Sequence, residues 1–144
     1  MEEPGKVVVE DRPMPTLLEP TDAVIKLAAS CICGSDLWPY RGAQPVDHQQ
    51  MGHEYIGEVI EVGDDVKTVK PGDFVVGSFC ISCGECATCQ DGYPSRCLKA
   101  IAAGDGFIGM RSNGTQAEYA RIPFADGTLV KTPAYLSLIH ISDG

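Results

Sequence analysis

Residues 52–66 read GHEYIGEVIEVGDDV, and this stretch decides the architecture. The run Tyr55–Val62 is rich in β-branched and aromatic residues, which suit a pleated, half-buried surface. Gly63-Asp64-Asp65 follows it as turn chemistry. The segment therefore reads as a strand entering a tight turn. His53 and Glu54, two side chains able to hold a metal, stand immediately before the strand.

Working outward, the same signature recurs. Lys6–Glu10 (KVVVE), Ala23–Ala29 (AVIKLAA), Phe74–Phe79 (FVVGSF), Glu118–Ile122 (EYARI) and Leu129–Thr132 (LVKT) are further expected strands. Pro71-Gly72-Asp73, Asn113-Gly114 and Asp126-Gly127-Thr128 punctuate them as turns. A short helix is expected near Gly34–Tyr40. With Gly 16 and Pro 10 in 144 residues, short elements and turns win over long helices. The expected fold class is mainly β: a small, partly open barrel with short helices. No strand is followed by a G-x-G-x-x-G turn and a helix, so the doubly wound nucleotide-binding domain is expected to be absent. Cofactor-binding residues are therefore unknown.

The formal net charge of -9 disfavours a phosphate backbone or an anionic membrane as partner. No apolar run approaches the roughly 20 residues of a membrane helix. The acidic N-terminus, MEEPGKVVVEDRP, lacks the basic-then-apolar pattern of a signal peptide, so a cytoplasmic protein is expected.

Seven cysteines in such a chain call for metal rather than disulfides. Residues 83–97 read CGECATCQDGYPSRC and place Cys83, Cys86, Cys89 and Cys97 at C-x2-C-x2-C-x7-C. Four thiolates close a tetrahedron around zinc and leave no open position, so this site is expected to be structural. Cys80 and Cys31 are read as packed side chains outside either site. Asp64, Asp65 and Asp73 are read as turn residues on a solvated face, and His48 as exposed.

A second constellation lies in two pieces, Cys33-Gly34-Ser35-Asp36 and Gly52-His53-Glu54. With the cysteine run downstream in this order, the sequence resembles the zinc-containing, medium-chain alcohol dehydrogenase family from about Lys6 to Pro133. The stretch Gly52–Val66 fits that family's signature through Gly52-His53-Glu54, Gly57, Gly63 and Val66. Glu3-Pro4-Gly5-Lys6-Val7 resembles the family just after its first strand, which implies that the first strand is missing.

The resemblance implies a GroES-like domain over residues 1–134 and a catalytic zinc beside the structural one. Cys33 and His53 are then zinc ligands, and Glu54 ligates transiently or supports the site. Ser35 matches a hydroxyl that passes the substrate proton on, and Asp36 a carboxylate that steers the liganding histidine. The implied reaction is oxidation of a small alcohol to an aldehyde or ketone. It runs through an alkoxide on zinc and hydride transfer to NAD or NADP. Full-length relatives are expected to be homo-oligomers.

The family's third catalytic ligand is expected after Pro133 and has no counterpart here, since Asp143 fits poorly. Residues 135–144 (YLSLIHISDG) are unlike family sequence and are expected to be a truncated or chimeric end, so His140 carries no weight. Trp38-Pro39-Tyr40-Arg41-Gly42 resembles bacterial formaldehyde-dehydrogenase-like branches, although Trp38 equally suits packing. The isolated chain is expected to lack turnover. The alternative reading is a zinc-stabilised, non-catalytic binding module or a co-chaperonin. Cys33 with Gly52-His53-Glu54 argues against it, because a co-chaperonin needs no open metal site.

Overall fold

The computed structural model describes residues 1–104, 106–108 and 114–133. Five strands are present: β1 (Ala23–Ser30), β2 (Tyr55–Val62), β3 (Phe74–Gly77), β4 (Tyr119–Ile122) and β5 (Leu129–Lys131). All neighbours are antiparallel, in the order β4-β1-β2-β3-β5. The β1–β2 register shifts between Val24 and Ile25 and again between Leu27 and Ala29, which strengthens the local twist.

Strands sit about 4.8 Å apart, so a flat sheet of this order would hold its edges about 19 Å apart. Residues 123–128 alone join the two edge strands. They spend their reach on the left-handed Phe124 and the helical turn α4 (Ala125–Thr128). The sheet therefore curls toward closure, giving the partly open barrel expected from the sequence. Its interior holds Ile25, Val59, Val75, Ala120 and Ile122, all fully buried. Glu58 of β2 is exposed and its neighbour Val59 is buried, as alternation requires, while Glu61 is exposed beyond the register shift that skips Ile60.

Three further short helices lie outside the sheet: α1 (Leu37–Tyr40), α2 (Ala87–Gln90) and α3 (Leu98–Ala102). The expected helix near Gly34–Tyr40 is a 3₁₀ turn, Gly34–Asp36, running into α1. A second 3₁₀ turn, Pro94–Arg96, precedes α3.

One expected strand does not form. Lys6–Glu10 joins no strand ladder, apart from an isolated bridge between Glu3 and Lys6. A strand exists by its ladder, and among the described residues none runs beside this one. Its valines are left in solvent, Val9 fully so. β3 is also shorter than expected. It ends at Gly77, although Ser78 N still donates to the Thr128 carbonyl at 2.9 Å, one step beyond the Gly77–Leu129 pair.

Asp73 is buried in its turn, where it accepts from Lys70 N at 3.0 Å and pairs with Lys131 at 2.7 Å. This corrects the expectation of a solvated side chain, while Asp64 and Asp65 are exposed as expected. His48 is exposed, with Nε2 3.0 Å from the Glu10 carboxylate. Asn113 and residues 134–144, including His140 and Asp143, lie outside the described residues.

Candidate functional site

The end of β1 and the start of β2 are joined outside the ladder. Ser30 Oγ and Cys31 N both donate to the Glu54 carbonyl at 3.0 Å. The chain leaving β1 is thereby fixed beside the chain entering β2, and Cys33 comes to lie next to His53. Residues 33–36 then fold back on themselves: Cys33 N donates to Asp36 Oδ2 at 2.8 Å. Asp36 is 8% exposed, and its second oxygen lies 3.6 Å from His53 Nδ1. That distance is ion-pair range rather than a formed hydrogen bond. It nevertheless places a carboxylate beside Nδ1, while Nε2 lies 3.3 Å from Ser35 Oγ.

Cys33, His53 and Glu54 bring one ligand atom each to within 4.8 Å of one another. A tetrahedral zinc with bonds of about 2.0–2.3 Å holds its ligands roughly 3.3–3.8 Å apart. The three side chains therefore need at most a small movement to reach that spacing. A thiolate, an imidazole and a carboxylate suit zinc, and three protein ligands leave a fourth position open.

Beside this group stands an aromatic pair. The Phe79 ring meets His53 edge-on, with centroids 6.3 Å apart, and stacks on Phe107 at 5.6 Å. Phe79 is 51% exposed despite its bulk. No sequence pattern signals this pair. Phe79 is delivered by the departure of the chain from β3, and an isolated bridge between Cys80 and Phe107 holds the two segments together.

The second group is Cys83, Cys86, Cys89 and Cys97, whose sulfurs also lie within 4.8 Å of one another. Cys86 Sγ lies 3.4 Å from Cys89 Sγ and 3.9 Å from Cys97 Sγ. These separations far exceed a disulfide bond of about 2.05 Å, and all seven cysteines are free. Main-chain N–H groups already point at the sulfurs: Cys83 N to Cys97 Sγ and Cys86 N to Cys83 Sγ at 3.3 Å, Ala100 N to Cys97 Sγ at 3.5 Å. Such donors favour thiolates. The lobe is welded to the barrel through Ser82, which bonds Thr128 Oγ1 at 3.2 Å and the Gly127 carbonyl at 2.6 Å. Cys83 and Cys97 join the hydrophobic core itself. Cys80 is buried, and neither it nor Cys31 belongs to either group.

The four thiols differ in acidity. Hydrogen bonding to the Thr88 hydroxyl, aided by the Cys89 main-chain N–H, brings Cys86 down to about 5. Burial pushes Cys89 up to about 12. At neutral pH Cys86 is thus the ready thiolate, while Cys89 gives up its proton when metal enters. Because protons compete with metal for these sulfurs, zinc affinity is expected to fall as pH is lowered. The fall gains one further proton below about pH 5, where Cys86 also protonates. Calorimetric zinc titrations in buffers of different ionisation enthalpy count the released protons directly. A pH-independent affinity would contradict this order.

Residues 19–134 match the alcohol dehydrogenase GroES-like domain family. The chain is 47% identical over 131 residues to zinc-type alcohol dehydrogenase B of Aspergillus flavus, covering 90% of this chain and 30% of that protein. Its fold superposes on alcohol dehydrogenase TADH from Thermus sp. ATN1 with a TM-score of 0.84 at 36% identity, covering 95% of this chain and 40% of that one. A zinc-binding dehydrogenase from Sinorhizobium meliloti, solved bound to NADP, matches with a TM-score of 0.73 at 31% identity, over 94% of this chain and 38% of that one. The chain thus spans well under half the length of these relatives. Among the described residues no helix is long and apolar enough to cross a membrane.

Proposed function

The chain belongs to the alcohol dehydrogenase GroES-like domain family, and from that premise we propose that Cys33, His53 and Glu54 hold a catalytic zinc for NAD(P)-dependent oxidation of a small alcohol. Cys83, Cys86, Cys89 and Cys97 hold a second, structural zinc. The observation that carries this reading is the meeting of a thiol, an imidazole and a carboxylate from two separate segments. Asp36 on the far side of the imidazole is the usual support of a metal-bound histidine.

A zinc held here supplies a Lewis acid that lowers the pKa of a bound hydroxyl. The surrounding side chains divide the remaining work. Asp36 holds the His53 ring in register and favours the proton on Nδ1, so that Nε2 keeps its lone pair for metal. Ser35, 3.3 Å from that nitrogen, is placed to receive the proton that the alcohol loses and to pass it outward. Phe79 and Phe107 offer an apolar wall to the carbon skeleton and keep water from that side. Glu54 completes the ligand set within this chain. A nicotinamide cofactor, when bound, would supply the acceptor for the hydride. No residue of this chain is assigned to binding it, and the chain alone is expected to bind metal without turning over alcohol.

An open metal position is testable without turnover. Cobalt(II) can replace zinc, and its visible bands report coordination. Adding imidazole or benzyl alcohol to the cobalt-loaded chain is expected to shift those bands saturably, and His53→Ala to abolish the shift. A cobalt spectrum indifferent to both probes would mean that no open site exists.

A further inference from the structure

The segment Gly114-Thr115-Gln116 carries no reactive group of the site, yet it touches both chain segments that supply ligands. Gln116 N donates to the Met51 carbonyl at 2.9 Å, and Thr115 N to the Gly52 carbonyl at 3.0 Å, just ahead of His53 and Glu54. Gly114 N donates to Gln50 Oε1 at 2.9 Å. On the other side, the Gln116 side-chain amide, through Nε2, reaches the Cys31 carbonyl at 3.3 Å, two residues before Cys33. Gln116 is thus bonded to the segment bearing Cys33 and to the segment bearing His53 at once. The fit is close: a Cβ on Gly114 would lie 2.2 Å from the Met51 carbonyl oxygen. Thr115 is fully buried, so the segment is packed in place.

We infer that Gln116 is a positioning residue that sets the separation of Cys33 from His53 and so tunes metal affinity at the catalytic site. The inference rests on the catalytic reading of Cys33, His53 and Glu54. The physical ground is geometric. The three ligand atoms lie within 4.8 Å of one another, and Cys33 comes from a different segment than His53 and Glu54, so their spacing depends on how the two segments are held. A strut between the two segments limits how far they drift in the metal-free chain, and so reduces the reorganisation that binding demands. The Cys83–Cys97 lobe makes none of these contacts and serves as an internal standard.

The test uses the 144-residue chain and competition for zinc between each site and a chromophoric chelator. Gln116→Glu keeps the size of the side chain and removes the amide donor. Gln116→Ala keeps only the main-chain bond and stands in if the first variant fails to fold. One lost hydrogen bond corresponds to about a three- to tenfold drop in affinity, expected at the catalytic site alone. Cobalt bands of that site are expected to broaden or shift, while those of the four-cysteine site stay unchanged. Wild-type affinity and spectrum in both variants would overturn the inference, as would equal weakening of both sites, which would mark a general loss of fold. A wild-type chain that takes up metal only at the four cysteines would overturn the catalytic reading itself, and this inference with it.

Discussion

Cys97→Ser is expected to abolish metal binding at the four-cysteine site and to lower the unfolding midpoint on the order of 10 °C or more. The size follows from where the sulfur sits. Cys97 is 1% exposed, caps α3 by accepting from Ala100 N, and accepts from Cys83 N. A hydroxyl there is a poor zinc ligand, and in small domains a structural zinc contributes about 10–16 kcal/mol to folding. Without metal, three buried or half-buried sulfurs lose their shared partner. The damage spreads because Cys83, Cys97 and Ala100 belong to the same core as Ile25 and Val59. Differential scanning calorimetry with and without a chelator checks this. Chelation, which removes both metals, is expected to bring the wild-type midpoint down to that of the variant or below it. A variant that melts like the zinc-loaded wild type would contradict it.

Gly52→Ala is the second large effect, expected to cost on the order of 4 kcal/mol and to remove metal from the catalytic site. Gly52 has φ +99, a region that side chains rarely adopt. A Cβ there would lie 2.3 Å from Gln116 N and 2.8 Å from the Gln116 Cγ. The neighbour is mostly main chain already bonded to Met51, so it cannot yield without breaking that bond. The next residue is His53, and any retreat of residues 51–52 carries the imidazole away from Cys33. Chemical denaturation reads the stability, and zinc content reads the site. Wild-type values of both would show that the loop gives way more easily than its packing indicates.

How much of this was legible in the sequence depends on the range over which each feature is encoded. The cysteine run is local: two-residue spacings between Cys83, Cys86 and Cys89 survive any reasonable folding of the loop, and the structure brings all four sulfurs together. β2 was legible because Tyr55–Val62 is both β-branched and bounded by a turn. Lys6–Glu10 shows the limit of that signal. Its composition suits a strand, but pairing comes from elsewhere in space, and no described residue supplies it. Helices α2, α3 and α4 were missed because four or five residues are too few to show a helical period.

The site divides in the same way. Cys33, His53 and Glu54 were named from short motifs, with Ser35 and Asp36 beside them, and the structure gathers them. Phe79, Phe107 and Gln116 reach the site from other parts of the chain. The Gln116–Cys31 bond spans 85 residues, and nothing local encodes it. Asn113–Tyr119 reads from sequence only as a turn into a strand, and its described part, from Gly114, also bonds to the segments that bear Cys33 and His53.

The central claim is that one chain carries two zinc sites of different kinds. Zinc per chain, measured by elemental analysis on reduced, folded protein, tests it most directly. The account predicts about two zincs in the wild type, about one in His53→Ala, and about one in Cys97→Ser. A folded wild-type chain that holds no zinc would contradict both assignments. A single zinc that survives in His53→Ala and is lost in Cys97→Ser would leave the structural site standing and remove the catalytic one.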